Sequence, residues 1–335
     1  MQTKGVHLLN IGLIAVSLIL ACLLPFELFL IAFAILGPLH YLTEISWLEQ
    51  RQYFVGDKRW FWLFAVLALA FALPYLLQLP FLSDLQEHVA ALFTWINAAI
   101  LIAFVTAGGL VFTKKPYQLW ITIGMAVILA VLLRSSLTYN IWMGLFLPSV
   151  VHVYVFTGLF MLFGVLKDKS QTGMISILCL AAVPLVISFI PVRSDWYHFS
   201  DLTKQAFLDT RFHILGATLG KWIGTSNGKG FFFYEVADLK VQIFIAFAYL
   251  YHYLNWFSKT TVIGWHKGLT KKRSLIILMI WLTCIALFAW NYRIGILSVT
   301  FLSTLHIFVE FPLNMVSIRS IAQVIGHRVQ TQTQP

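Results

Sequence analysis

Two stretches of this sequence repeat one spacing of chemically useful groups. L-H-I-F-V-E-F-P-L-N holds His306 and Glu310, and G-P-L-H-Y-L-T-E holds His40 and Glu44. Four residues on a helix bring both side chains to one face, a turn apart. Single histidines, His152 and His252, stand in two further apolar stretches. Ionisable groups within a membrane span are costly and mark functional sites by default. The spacing therefore predicts that His40, His152, His252 and His306 meet around a metal ion. Neutral imidazoles suit iron, copper or zinc, and two nearby carboxylates favour iron. Glu44 and Glu310 are expected either to ligate directly or to accept a ring N–H and so fix a histidine's tautomer. Tyr154, Tyr251 and Tyr253 are candidate donors, Tyr154 and Tyr251 for protons in the reaction, with Asn255 and Asn314 as further polar groups at comparable depth.

The plain alternative is that each histidine is an interhelical hydrogen-bond partner. Four at matched depth, two with a carboxylate one turn on, favour a metal for the set. The other histidines, His7, His88, His198, His213, His266 and His327, fall near span ends or in loops and are read as solvated or interfacial.

The elements that must position these groups follow from composition. Of 335 residues, 60% are hydrophobic and 11% charged, with mean hydropathy +0.84. Soluble chains carry about 25% charged residues. Apolar runs of about 20 residues recur along the chain, which predicts an all-α, polytopic membrane protein. The runs do not alternate as barrel strands would. We count about ten spans over one membrane domain, roughly at 6–24, 26–48, 59–78, 89–113, 117–134, 141–166, 173–192, 236–257, 273–291 and 295–317. The first lacks a small-residue cleavage site and reads as a retained span.

The net charge of +10 is topogenic rather than a nucleic-acid footprint. With a cytoplasmic N-terminus, fifteen of the 23 basic residues fall on inner segments, from Lys4 to Arg328. The expected location is the inner (plasma) membrane with both termini cytoplasmic. The four histidines then fall on spans of the same direction, each about 10–22 Å above the basic flank at the helical rise. Residues 193–235 form the one long outer segment, and W-Y-H-F-S-D-L-T-K-Q-A-F-L-D-T-R-F reads as an amphipathic surface helix. Cys22, Cys179 and Cys284 lie far apart in apolar runs and read as buried structural thiols.

The stretches G-P-L-H-Y-L-T-E at 37–44, P-S-V-V-H-V-Y-V-F at 148–156, A-Y-L-Y-H-Y-L-N-W at 248–256 and L-S-T-L-H-I-F-V-E at 302–310 together resemble the histidine motifs of the Brp/Blh family. Those proteins are membrane β-carotene 15,15′-dioxygenases. Four departures stand out. Tyr41 occupies a family glycine position, Trp256 that of a second histidine, Pro38 is displaced by one residue, and the first two motifs stand further apart than in the family. The resemblance implies iron–oxygen chemistry in a membrane on a lipophilic isoprenoid, carotenoid or acyl substrate.

The expected function is thus a membrane-embedded non-haem iron oxygenase drawing substrate from membrane lipids, with an electron donor the sequence does not name. Two other classes stay open: a b-type haem electron-transfer protein with histidine axial ligands, and a metal-ion or proton transporter with a His/Glu relay. Motifs of soluble enzymes are absent: there is no H-E-x-x-H, no nucleotide-binding glycine pattern and no glycine elbow around Ser149.

Overall fold

The computed structural model describes residues 3–55, 57–82, 92–225, 228 and 230–332. His88, the side chain of His327, the start of the fourth run and residues 226, 227 and 229 of the glycine-rich turn lie outside the described residues. Among the described residues there is no strand, and every apolar run contains a helix. We label the main helices α1 (Thr3–Leu23), α2 (Pro25–Gln50), α3 (Arg59–Leu76), α4 (Ile96–Phe112), α5 (Pro116–Leu133), α6 (Leu137–Asp168), α7 (Gln171–Phe189), α8 (Asp201–Asp209), α9 (Phe212–Ile223), α10 (Val236–Ser258), α11 (Lys271–Trp290) and α12 (Tyr292–Gln332).

Eight of these, α1, α2, α3, α5, α6, α7, α11 and α12, are long and apolar enough to cross a membrane. The apolar α4 has only 17 residues. The 23-residue α10 carries Asp238, Lys240, Gln242, His252 and Asn255 and is not among the eight.

The chain divides into two compact units. The first comprises Met1–His40, Gln171–Ile263 and Leu278–Ile296, and the second Tyr41–Ser170, Gly264–Ile277 and Leu297–Pro335.

In the first unit α10 is the central element. It is buried on nearly every face from Leu239 to Trp256 and packs against α1, α7, α9 and the start of α2. Its polar groups are tied down by hydrogen bonds, as burial requires. Gln242 Nε2 donates to the Pro25 carbonyl at 2.9 Å, and Tyr251 Oη donates to Asn10 Oδ1 at 3.1 Å.

Helix α2 widens to i→i+5 turns over Ala32–Leu36, just before Pro38, which has no N–H to give. Carbonyls in and beside this wide turn find outside donors. Trp281 Nε1 donates to Ile35 O at 2.8 Å and Tyr292 Oη to Leu30 O at 3.0 Å.

Within the stretch read as an amphipathic helix, α8 covers Asp201–Asp209, and a second helix, α9, follows it. Ser200 Oγ caps α8 by accepting the Thr203 N–H, and Arg211, with φ +60°, turns the chain into α9. Phe207 of α8 is fully buried. Its ring meets Phe26 edge-on at 4.7 Å, and Phe199 meets Phe26 at 4.6 Å. Each such pair contributes about 0.5–1.5 kcal/mol beyond its buried area. The 193–235 segment is thus fastened to α2 by aromatic packing.

In the second unit α4 packs against α3, α5 and α6. A Cβ on Gly109 would lie 2.7 Å from Leu119 Cδ1, so α4 and α5 approach closely there and a side chain at 109 would displace the Leu119 terminus. Phe104 meets Phe311 edge-on at 5.1 Å, and Arg319 Nη1 caps the Val111 carbonyl at 2.9 Å, which binds α4 to α12. Helix α6 is widened to i→i+5 turns over Ile141–Phe156, around Pro148.

After α2 the chain reverses through Gln52, Tyr53 and Phe54, whose φ values are +51°, +52° and +58°. Left-handed backbone costs non-glycine residues roughly 1–2 kcal/mol each. The turn nonetheless buries Tyr53, stacked on Phe61 at 5.0 Å.

Candidate metal centre

Every histidine singled out from the sequence is buried, with His40 1%, His152 2%, His252 8% and His306 2% exposed. Each unit holds one histidine pair.

In the second unit the pair is His152, on the widened stretch of α6, and His306 on α12. Their Nε2 atoms lie 3.1 Å apart, with the rings crossed at 72°. Glu310 joins them: its Oε2 is 3.3 Å from His152 Nδ1. The i,i+4 spacing placed Glu310 on the same face as His306, but its carboxylate also reaches across to the ring on α6. Ligand atoms from His152, His306 and Glu310 all lie within 4.8 Å of one another. Tyr41 lies flat on His306, with centroids 4.2 Å apart and 21° between planes. Glu44, one turn beyond Tyr41 on α2, is buried and within electrostatic range of Glu310. Two neighbouring carboxylates in an apolar interior call for a cation or a shared proton.

In the first unit His40 Nε2 and His252 Nε2 are 3.0 Å apart, their rings at 82°. Tyr253 and Trp256 pack against His40, with centroids at 5.4 and 5.6 Å.

Metal–nitrogen bonds of about 2.1 Å at tetrahedral or octahedral angles put neighbouring ligand nitrogens roughly 3.0–3.4 Å apart, so both spacings suit two cis ligands. An N–H···N hydrogen bond has a similar length. Glu310 bears on the choice. A His152 proton held on Nδ1, facing the Glu310 carboxylate 3.3 Å away, would leave the Nε2 lone pair facing His306. The residues present therefore fit a bound cation.

No family model, curated protein or solved structure matches this chain.

The tyrosines named from the sequence stand differently. The Tyr251 hydroxyl is engaged by Asn10, whose own Nδ2 donates to the Val6 carbonyl at 2.8 Å, so Tyr251 ties α10 to α1. Tyr154 is partly exposed, and its offset of two from His152 points it to another side of α6. Sequence reasoning gave no contact role to Tyr41 or Trp256. Tyr41 directly follows His40, about 100° round the helix, so spacing gave no cue. Trp256 is four residues after His252, the same interval that drew attention to the glutamates.

Proposed function

We propose that this chain is a ten-span protein of the inner membrane, its basic flanks cytoplasmic, that holds a non-haem iron and oxidises a lipophilic substrate taken from the bilayer. One observation carries the reading: within a single unit, two imidazoles and one carboxylate, from His152, His306 and Glu310, are buried with their donor atoms within 4.8 Å of each other. Two histidines and a carboxylate with open positions are the donor set of iron(II) oxygenases. The resemblance to the Brp/Blh motifs supports the same chemistry.

Bound iron would supply the activation of O₂ for attack on the substrate. The chain's own residues do the rest. His152 and His306 present Nε2 lone pairs. Glu310 either ligates directly or holds the His152 proton on Nδ1. Tyr41 fixes the plane of the His306 ring, and burial excludes water from the centre. Glu44 adds a second carboxyl group near Glu310, able to join a bound cation or to share a proton. His40 and His252 present a further pair of nitrogens for metal.

The geometry disfavours bis-histidine haem at either pair. Axial nitrogens on opposite faces of a macrocycle are separated by about 4 Å, twice a metal–nitrogen bond. Spacings of 3.1 and 3.0 Å are too short for that.

The test is metal analysis and a visible spectrum of detergent-purified protein. Iron retained through purification without a Soret band is the expected result. A stoichiometric Soret band would establish the haem reading. Metal that exchanges freely would favour a transporter.

A further inference from the structure

The second unit contains a cavity of about 490 Å³ whose wall includes Leu42 and Leu305, the chain neighbours of Tyr41 and His306. That is within the usual range for a small-molecule site. Three of the segments that line it do so with one helical face each. Helix α2 gives Leu42, Ile45, Ser46 and Glu49, the start of α3 gives Lys58, Phe61 and Trp62, and α11 gives Arg273, Ile276 and Ile277. These are i, i+3 and i+4 sets, so each helix turns a single stripe to the space. Leu302 and Leu305 of α12 complete the wall.

The lining is polarised. Leu42 follows Tyr41 in the chain and Leu305 precedes His306, which puts the apolar end at the level of the stacked pair. Glu49 is seven residues beyond Leu42, about 10 Å along the helix. At that other end are Glu49, Tyr53, Lys58 and Arg273. Arg273 pairs with Glu49 at 3.0 Å. Two cations against one carboxylate leave the rim one positive charge in excess.

The rim also includes the strained turn. Three successive left-handed residues, none of them glycine, bring the buried Tyr53 to this rim. Strain of this kind persists where the surroundings enforce it, commonly at ligand clamps.

We propose that this cavity seats a long-chain monocarboxylic acid, its tail along Leu42, Ile45, Ile276 and Leu305 and its carboxylate at Lys58 and Arg273. The single excess charge matches a monoanion, whereas a phosphate monoester brings about −1.5 to −2. Trp62, 68% exposed, belongs to the same wall. As the substrate class of the proposed oxygenase this rests on that reading. As a binding site it does not.

The test is equilibrium binding of labelled palmitate to the full chain in a non-ionic detergent, with hexadecanol and hexadecyl phosphate as competitors. Palmitate is expected to bind, with hexadecanol competing at least about tenfold more weakly for want of the charged hydrogen bonds. Lys58→Ala should weaken palmitate about tenfold, Lys58→Arg should retain it, and iron content should be equal in both variants and the parent. Equal competition by hexadecanol, preference for hexadecyl phosphate, or unchanged binding in Lys58→Ala overturns the assignment. Palmitate binding in a protein that never holds iron keeps the cavity and removes the oxidative reading. Iron without palmitate binding removes the cavity assignment alone.

Discussion

Tyr41 lies face to face with His306, 4.2 Å between ring centroids and 21° between planes. Stacking of this kind fixes the imidazole plane while leaving both ring nitrogens at its edge for other partners. Removing the ring should loosen His306 without removing a donor. Tyr41→Phe is expected to keep its metal. Tyr41→Ala should bind iron about 10–100-fold more weakly, as other losses of ligand support do. Competition against a chelator of known affinity measures both.

Glu310 stands 3.3 Å from His152 Nδ1. Glu310→Gln keeps the shape and loses the negative charge. Iron affinity should fall about 10–100-fold if the carboxylate orients His152. A direct ligand would cost more, with most metal lost on purification. Affinity equal to the parent would remove Glu310 from the centre.

His306→Ala deletes one Nε2 of its pair, and His40→Ala one of the other. Each should lose most of its bound iron by elemental analysis of the purified protein. Full occupancy in both would falsify the metal assignment.

Tyr251 separates a structural role from a chemical one. Its hydroxyl is engaged by Asn10. Tyr251→Phe should leave the buried Asn10 oxygen short of a donor and lower stability by about 1–3 kcal/mol, with iron content unchanged. A thermal midpoint in detergent together with metal analysis reads both. Loss of turnover at an unchanged midpoint would instead assign Tyr251 to proton transfer.

The apolar runs were legible as helices because hydropathy needs only composition over about 20 residues. His40, His152, His252 and His306 stood out as a set, four imidazoles at matched depth in apolar runs, two with a carboxylate one turn on. Partners across helices were harder to read. The i,i+4 rule put Glu310 with His306 and could not foresee its reach to His152 on α6. Pro148 hinted at a disturbance in α6, but i→i+5 widening from Ile141 to Phe156 is a property of backbone register that a residue pattern does not encode. The break between α8 and α9 fell at Thr210–Arg211, where no glycine or proline announces it. The left-handed turn at 52–54 is likewise unmarked, since Gln, Tyr and Phe are poor predictors of positive φ.

Helix α12 runs for 41 residues, from Tyr292 to Gln332. At 1.5 Å per residue that is roughly 60 Å, against a hydrocarbon thickness of about 30 Å. Even at a 40° tilt the rod would climb about 46 Å. In a bilayer a good part of it must therefore lie beyond the hydrocarbon core, at the end that carries Arg319. A probe fixed to that protruding shaft would share a continuous backbone with His306, making it a place to report on events at the centre without disturbing the lipid-facing surface.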